Sequence, residues 1–303
     1  MSKVSREGEI YRITLWGSAV NLVLVAVKFV AGILGASAAM VADAVHSLSD
    51  LLTDIIVLAF VRISSKPADR DHNYGHGKYE TLATIIVGGA LLVVGAMLLA
   101  GGVEKIVAAA RGDVLAVPGW IALAAALVSI LAKEIVFRFT VRVGRKTGSD
   151  AVIANAWHHR SDALSSIGTG LGIGGALLLG EKWAVLDPIA AAVVSIFIIV
   201  TAVKLLVPAI SQLMEKSLPE EEEKFISDAV AEDSSLHELH HLRTRRVGQI
   251  VSIEMHIRMA GDISLNESHR HSMILEKKLR GHFGQNAVIN IHIEPLKVNG
   301  EYQ

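Results

Sequence analysis

Hydrophobic positions run in long unbroken stretches up to about residue 208 and in short alternating ones after it. Residues 81–103 and 114–132 contain no ionisable side chain, and 163–180 is nearly as clear a case. Residues 13–35 are apolar apart from Lys28, and 187–207 apart from Asp187 and Lys204. About 20 apolar residues cross a bilayer's hydrocarbon core, so each stretch predicts a spanning helix. Residues 37–61 are long enough too but carry Asp43, His46, Asp50 and Asp54. Six spans are predicted, near 13–35, 37–61, 81–103, 114–137, 150–180 and 185–208.

The later pattern is different. After Ser217-Leu218-Pro219, four glutamates at 220–223 load acids onto a helix start, where the macrodipole favours them, and that helix runs to about Ala231. Strands are predicted near 239–246 and at 250–259, the second with Val251, Ile253, Met255 and Ile257 alternating. A helix near 265–283 and a strand at 287–294 complete an α-β-β-α-β order. The expected fold is thus an α-helical membrane domain, residues 1–208, followed by a small ferredoxin-like α+β domain, residues 209–303, with helices packed on a sheet.

Composition agrees with that division. Only 19% of residues are charged, against about 25% in soluble domains, and residues 209–303 hold 26 of the charges while 1–208 hold 33. The absence of cysteine removes thiolate chemistry and Cys-ligated metal sites. A net charge of −1 makes no case for nucleic-acid binding. The first apolar stretch is too long, and lacks the A-x-A-like site, for a cleavable signal peptide. Lys3, Arg6, Arg12, then Arg62, Lys66, Arg70, Lys78, then Arg138, Arg142, Arg145 and Lys146 crowd one side of the predicted spans. That bias places both termini in the cytoplasm.

Charged side chains at the centre of a span cost roughly 2.5–3.5 kcal/mol each. Asp43, His46, Asp50 and Asp54 are spaced by three, four and four residues, and so share one helical stripe. In the fifth span Asn155, His158, Asp162, Ser165, Ser166 and Thr169 do the same. Two helices that each present His-x-x-x-Asp offer two imidazoles and two carboxylates, a donor set suited to tetrahedral Zn²⁺. Polar pairs gluing helices together are the competing reading, and two matched stripes weigh against it. Asp43 and Asp54 are read as lining the pathway, His159 as a surface or packing residue, and Lys28 as a packing or snorkelling lysine.

Other motifs divide into weak and spurious ones. The loop Asp69-Arg70-Asp71-His72-Asn73-Tyr74-Gly75-His76 either binds a metal or is an ordinary polar loop. In the tail, which has 8 of the 13 histidines, His292 and Glu294 alternate onto one strand face and His256 lies on the polar face of its own. Gly170-x-Gly172-x-x-Gly175 fits a dinucleotide fingerprint formally, but inside an apolar span it reads as close helix packing. His237-Glu238-Leu239-His240-His241 fits the zincin motif formally, but it enters a strand and has no third-ligand extension.

Together these residues resemble the cation diffusion facilitator family, in particular its bacterial zinc- and iron-type efflux antiporters. The resemblance covers nearly the whole chain and rests on DAVHSLSD at 43–50, HHRSD at 158–162, PADRDHNYGHGKYE at 67–80, HHLRTR at 240–245 and HIEP at 292–295. It implies a transport site of His46, Asp50, His158 and Asp162, and a loop site of Asp69, His72 and His76. It further implies a regulatory tail site of His240, His256, His292 and Glu294, with His269 as a further ligand, and a charge interlock between Lys78 and Glu215. Some members carry Asp where this chain has His46, and Glu294 stands where close relatives often have Asp. The expected activity is proton-coupled export of Zn²⁺, with Cd²⁺ as a second substrate, by alternating access. The resemblance also implies a homodimer in the inner (plasma) membrane, with no enzymatic activity, organic cofactor or nucleic-acid partner. Fe²⁺ or Mn²⁺ export on the same fold is the first alternative, and a membrane-anchored metal sensor without transport the second.

Overall fold

In a computed structural model the backbone is described for residues 3–64, 66–147, 150–248, 250–298 and 301–302. Side chains are described for these residues except 3–7, 10, 11, 53–62, 64, 147, 150, 151, 154, 155, 158, 159, 161, 164, 298, 301 and 302. The chain divides into two structural units, residues 1–56 with 86–205, and residues 57–85 with 206–303.

Six long helices supply the membrane domain: α1 (Lys3–Leu34), α2 (Ala38–Ser64), α3 (Lys78–Ala110), α4 (Trp120–Thr147), α5 (Asp150–Leu179) and α6 (Leu186–Leu213). Even the 27-residue α2 extends about 40 Å at 1.5 Å per residue, more than a hydrocarbon core is thick. On length and apolarity alone, among the described residues, α1, α3, α4 and α6 qualify as spans, and 165–179 of α5 is a shorter apolar stretch. The remaining two helices carry the polar stripes. The fourth helix starts at Trp120, not at 114, because Pro118 holds the preceding residue extended. Gly119 instead donates its amide to the Gly35 carbonyl at 2.7 Å.

The core of the first unit is built from small side chains, among them Ala39, Ala42, Ala122, Ala126 and Ala202, all fully buried. Lipid tails give helices no hydrophobic reason to associate, so close van der Waals approach has to hold them. A Cβ on Gly172 would stand 2.4 Å from that of Ala190, and one on Gly175 2.5 Å from Leu186 Cδ1. The glycine run of α5 is therefore a seam against α6, as its apolar setting predicts.

The start of α2 is closed by a carboxylate from the other end of the domain. Buried Asp187 accepts from the amides of Ala38 (2.7 Å) and Ala39 (3.4 Å) and from Ser37 Oγ (2.5 Å), while Ser37 Oγ accepts from the Met40 amide. A helix N-terminus in an apolar setting leaves donors that must be met, and an anion meets them best.

In the second unit α7 (Glu220–Ala231), β1 (His237–Val247), β2 (Ile250–Met259), α8 (Leu265–Phe283) and β3 (Val288–Pro295) follow in order, with β4 (Lys297–Val298) and β5 (Glu301–Tyr302) as a terminal pair. The sheet order is β1-β2-β3, antiparallel then parallel. The central β2 buries Val251, Ile253, Met255, Ile257 and Met259 to 2% exposure or less, against Ile226 and Val230 of α7 and Leu275 and Leu279 of α8. Ser264 caps α8 by accepting from the Glu267 amide at 3.2 Å.

Asp187→Ala is expected to strip the α2 cap and lower the melting temperature of the detergent-solubilised chain by the equivalent of about 1–2 kcal/mol. Asp187→Asn, which keeps one acceptor, should lose less in the same thermal scan.

Candidate metal centres

Alternation by three and four residues turns two helix faces into a polar pair. His46 and Asp50 on α2 and Asp162 on α5 bring one ligand atom each within 4.8 Å of one another. Asp162 is buried, and His46 Nδ1 is buried with no hydrogen-bond partner among the described residues. The side chain of His158, the fourth member of the expected set, lies outside the described residues, as do those of Asn155, His159 and Asp54.

Two side chains near these ligands behave differently from expectation. Lys28 neither packs alone nor snorkels: it is fully buried, 2.7 Å from Asp43 Oδ2, and donates to Ser47 Oγ (2.9 Å) and Ser166 Oγ (3.0 Å). Ser165 and Ser166 in turn donate to Asp43. Asp43 is thus occupied by a lysine and two hydroxyls rather than lining an open pathway. Lys133 of α4, also buried, reaches to 4.0 Å from Asp162 Oδ2.

The loop before α3 gathers Asp69, His72 and His76 with ligand atoms again within 4.8 Å. Asp69 Oδ1 accepts from the amides of His72 (2.8 Å) and Asp71 (3.0 Å), an Asx turn that fixes the carboxylate. The His72 amide, and less strongly that of Asp71 and the imidazoles of His76 and His72, hold Asp69 below the usual carboxylate range. His76 Nε2 and His72 Nδ1 each lie 3.4 Å from it, and the two rings are 4.3 Å apart. His76 is buried and stacks on Tyr79, whose hydroxyl is 3.3 Å from His72 Nε2.

Strand register assembles the third group. His240, His256 and His292 occupy one row across β1, β2 and β3. Glu294 Oε1 lies 3.0 Å from His256 Nδ1 and 3.9 Å from His292 Nε2, and its Oε2 lies 3.3 Å from His240 Nε2. His256 chiefly, with Arg258 and His240, holds Glu294 below its ordinary value. Two register shifts in β1, with Glu238 and His241 at positive φ, add a residue on that strand each time. The second brings the exposed His241 ring to 5.1 Å from those of His240 and His256, where it lines a cavity of about 220 Å³ with Arg243 and Glu254. Nothing in the alternation of the sequence marks His241, because a bulge changes which side of the strand it occupies. His269 stands exposed on α8 and joins none of the three groups among the described residues.

Lys78 at the start of α3 pairs with Glu215 beyond the end of α6. Arg245 of β1 extends the pair: it lies 3.0 Å from Glu215 Oε2 and 3.5 Å from Glu254, with its guanidinium 5.5 Å from the Tyr74 ring centre. The hydrogen bond from Lys78, then the two positive charges, hold Glu215 below the usual glutamate range.

Comparison with known proteins identifies the family. Residues 15–214 match the cation efflux transmembrane domain and 218–296 the cytoplasmic domain of cation efflux proteins. The chain is 32% identical over 279 residues to the manganese efflux system protein MneP of Bacillus subtilis, covering 91% of this chain and 92% of that protein. Over 286 residues it is 32% identical to the magnetosome protein MamB of Magnetospira sp., covering 93% and 94%. Metal tolerance protein C1 of Arabidopsis thaliana is 31% identical over 305 residues, covering 97% of this chain and 64% of that one. The chain belongs to the cation efflux (cation diffusion facilitator) family, membrane transporters of divalent metal ions with a cytoplasmic C-terminal domain.

A carboxylate with a depressed folded-state value contributes stability that is present at neutral pH and lost as pH falls through that value. Glu215→Gln is therefore expected to melt below the wild type at pH 7, with the gap closing as pH falls below 4.5. Paired melting scans across that range check the sign. A gap that widened on acidification would contradict the assigned pairing.

Proposed function

We propose that this chain exports Zn²⁺, with Cd²⁺ as a second substrate, in exchange for protons. The observation that supports this most is the convergence of His46, Asp50 and Asp162 on two polar-striped helices, in register with His158 one turn from Asp162. Two imidazoles and two carboxylates are a borderline-soft set that favours Zn²⁺ over Mn²⁺ or Fe²⁺. Imidazole binds metal only when neutral, so protons entering from outside release the metal from His46 and His158 and then pass inward.

In this reading residues 1–208 form the carrier, 209–303 a regulatory domain, and an even number of spans leaves both termini cytoplasmic at the inner (plasma) membrane. Asp69, His72 and His76, and separately His240, His256, His292 and Glu294, take further metal ions. The carrier works as a homodimer whose tails associate when metal is bound. A second reading, export of Mn²⁺ or Fe²⁺, is favoured by the likeness to the manganese efflux protein MneP.

Transport into proteoliposomes under an imposed pH gradient tests both readings. Wild type is expected to half-saturate at a lower concentration of Zn²⁺ than of Mn²⁺ or Fe²⁺, and His46→Asp to shift that order towards Mn²⁺. Asp50→Ala and His158→Ala should lose more than the roughly 10–100-fold that removing a mere supporting partner costs a metal site. Wild-type rates in both would remove the assigned site, a wild-type preference for Mn²⁺ would establish the second reading, and binding without flux would indicate a sensor.

A further inference from the structure

Among the described residues of the first unit Lys28 and Lys133 are buried, and they are held in different ways. Lys28 has a dedicated partner, the 2.7 Å pair with Asp43, and two hydroxyls that accept from its ammonium. Every element of that cluster is satisfied, which makes it a structural pair of α1, α2 and α5. Lys133 is 3% exposed, and among the described residues its polar contact is Asp162 at 4.0 Å. The carboxylate it faces is also one of the three groups converging on the transport site.

We propose that Lys133 is a tethered cation that takes the metal's place on Asp162 when the transport site is empty and competes with the metal for that carboxylate when it fills. The proposal rests on the transport-site reading above and names the residue that sets its affinity. The physical reason is charge in hydrocarbon. With both carboxylates ionised and both imidazoles neutral, a site that has given up its metal and not yet taken up protons holds two negative charges, and Lys133 offsets one of them. A divalent cation neutralises both, and Lys133 then becomes the surplus charge. Lys133 thus stabilises the empty carrier and destabilises the loaded one, which brings the two closer in free energy. That levelling eases the exchange of metal for protons, because uncompensated charge inside a span is penalised.

The test is Zn²⁺ uptake by the full chain in proteoliposomes, with KM and kcat measured separately for wild type, Lys133→Met, Lys133→Gln and Lys133→Arg. Loss of the competing cation is expected to lower KM about tenfold or more, equivalent to ~1.4 kcal/mol, and to lower kcat as release and return slow. Lys133→Arg, which keeps the charge, should stay near wild type in both. A merely structural lysine would instead raise KM or leave it unchanged in the Met and Gln variants, and that result overturns the proposal. Failure of both variants to reach the membrane would likewise make Lys133 structural and overturn it. Asp50→Ala run in parallel separates the two claims. If Asp50→Ala is inactive while the Lys133 variants keep the wild-type KM, the site stands and the competition falls. If Asp50→Ala transports normally, the site itself is wrong and this proposal goes with it.

Discussion

A charge in hydrocarbon must find a partner within the protein, and most of what is particular to the membrane unit follows from that. Insertion penalties of a few kcal/mol per charged residue would be prohibitive for the charges on α2 taken singly. They become tolerable because α2 and α5 place them opposite complementary groups. Lys28 is compensated by Asp43, which Ser165 and Ser166 also serve. Asp187 is compensated by the N-terminus of α2. Both compensations are complete and local, so they fix helices against one another. His46, Asp50 and Asp162 form a group of another kind: three donors whose ligand atoms converge on one point.

The second unit meets the same requirement with backbone register instead of helical period. Strand pairing sets His240, His256 and His292 side by side, and a single carboxylate, Glu294, reaches all three. Arg258 supports that carboxylate at 3.5 Å and also pairs with Glu238, at the first of the two bulges. The polar face is available because the opposite face of β2 takes the entire apolar load, with Ile253 and Ile257 fully buried. One strand therefore serves as the centre of the core and as the floor of the histidine–glutamate cluster, an economy that period-two alternation makes possible.

How much of this was legible in the sequence depended on whether the signal was local. Helix and strand order, the stripe of α2 and α5, and the row containing His256, His292 and Glu294 all follow from periods of 3.6 and 2 within single elements. The partner of Lys28 was not legible, since Asp43 lies in another helix and its polar stripe suggested a pathway. Hydropathy extends the fourth span back to 114, whereas Pro118 and Gly119 delay the regular backbone until Trp120. The place of His241 beside His240 and His256 has no signal in the alternation, because each bulge inverts the pattern from which faces are assigned. The resemblance suggested His269 as a ligand, and the exposed face of α8 keeps it apart from the three gathered groups.

Hydropathy alone would divide the chain where the last span ends, yet residues 57–85 group with 206–303. The cause is a set of contacts that no apolar pattern encodes. Gly77 lies so close to the β1–β2 turn that a Cβ there would stand 2.5 Å from the Val247 carbonyl oxygen. Gly248, at φ +63°, would place its own Cβ 2.7 Å from Gly77 Cα. Only a residue without a side chain fits either position. Gln212 bridges the same junction, accepting from Thr81 Oγ1 and donating to the Gly248 carbonyl, each at 2.8 Å. The Lys78–Glu215–Arg245 chain closes it on the polar side. The loop that bears Asp69, His72 and His76 is therefore not a free linker between two spans. Its geometry is set by a hairpin more than 160 residues later in the sequence. Any side chain at 77 or 248 would have to separate two backbones, and the loop histidines would move with them.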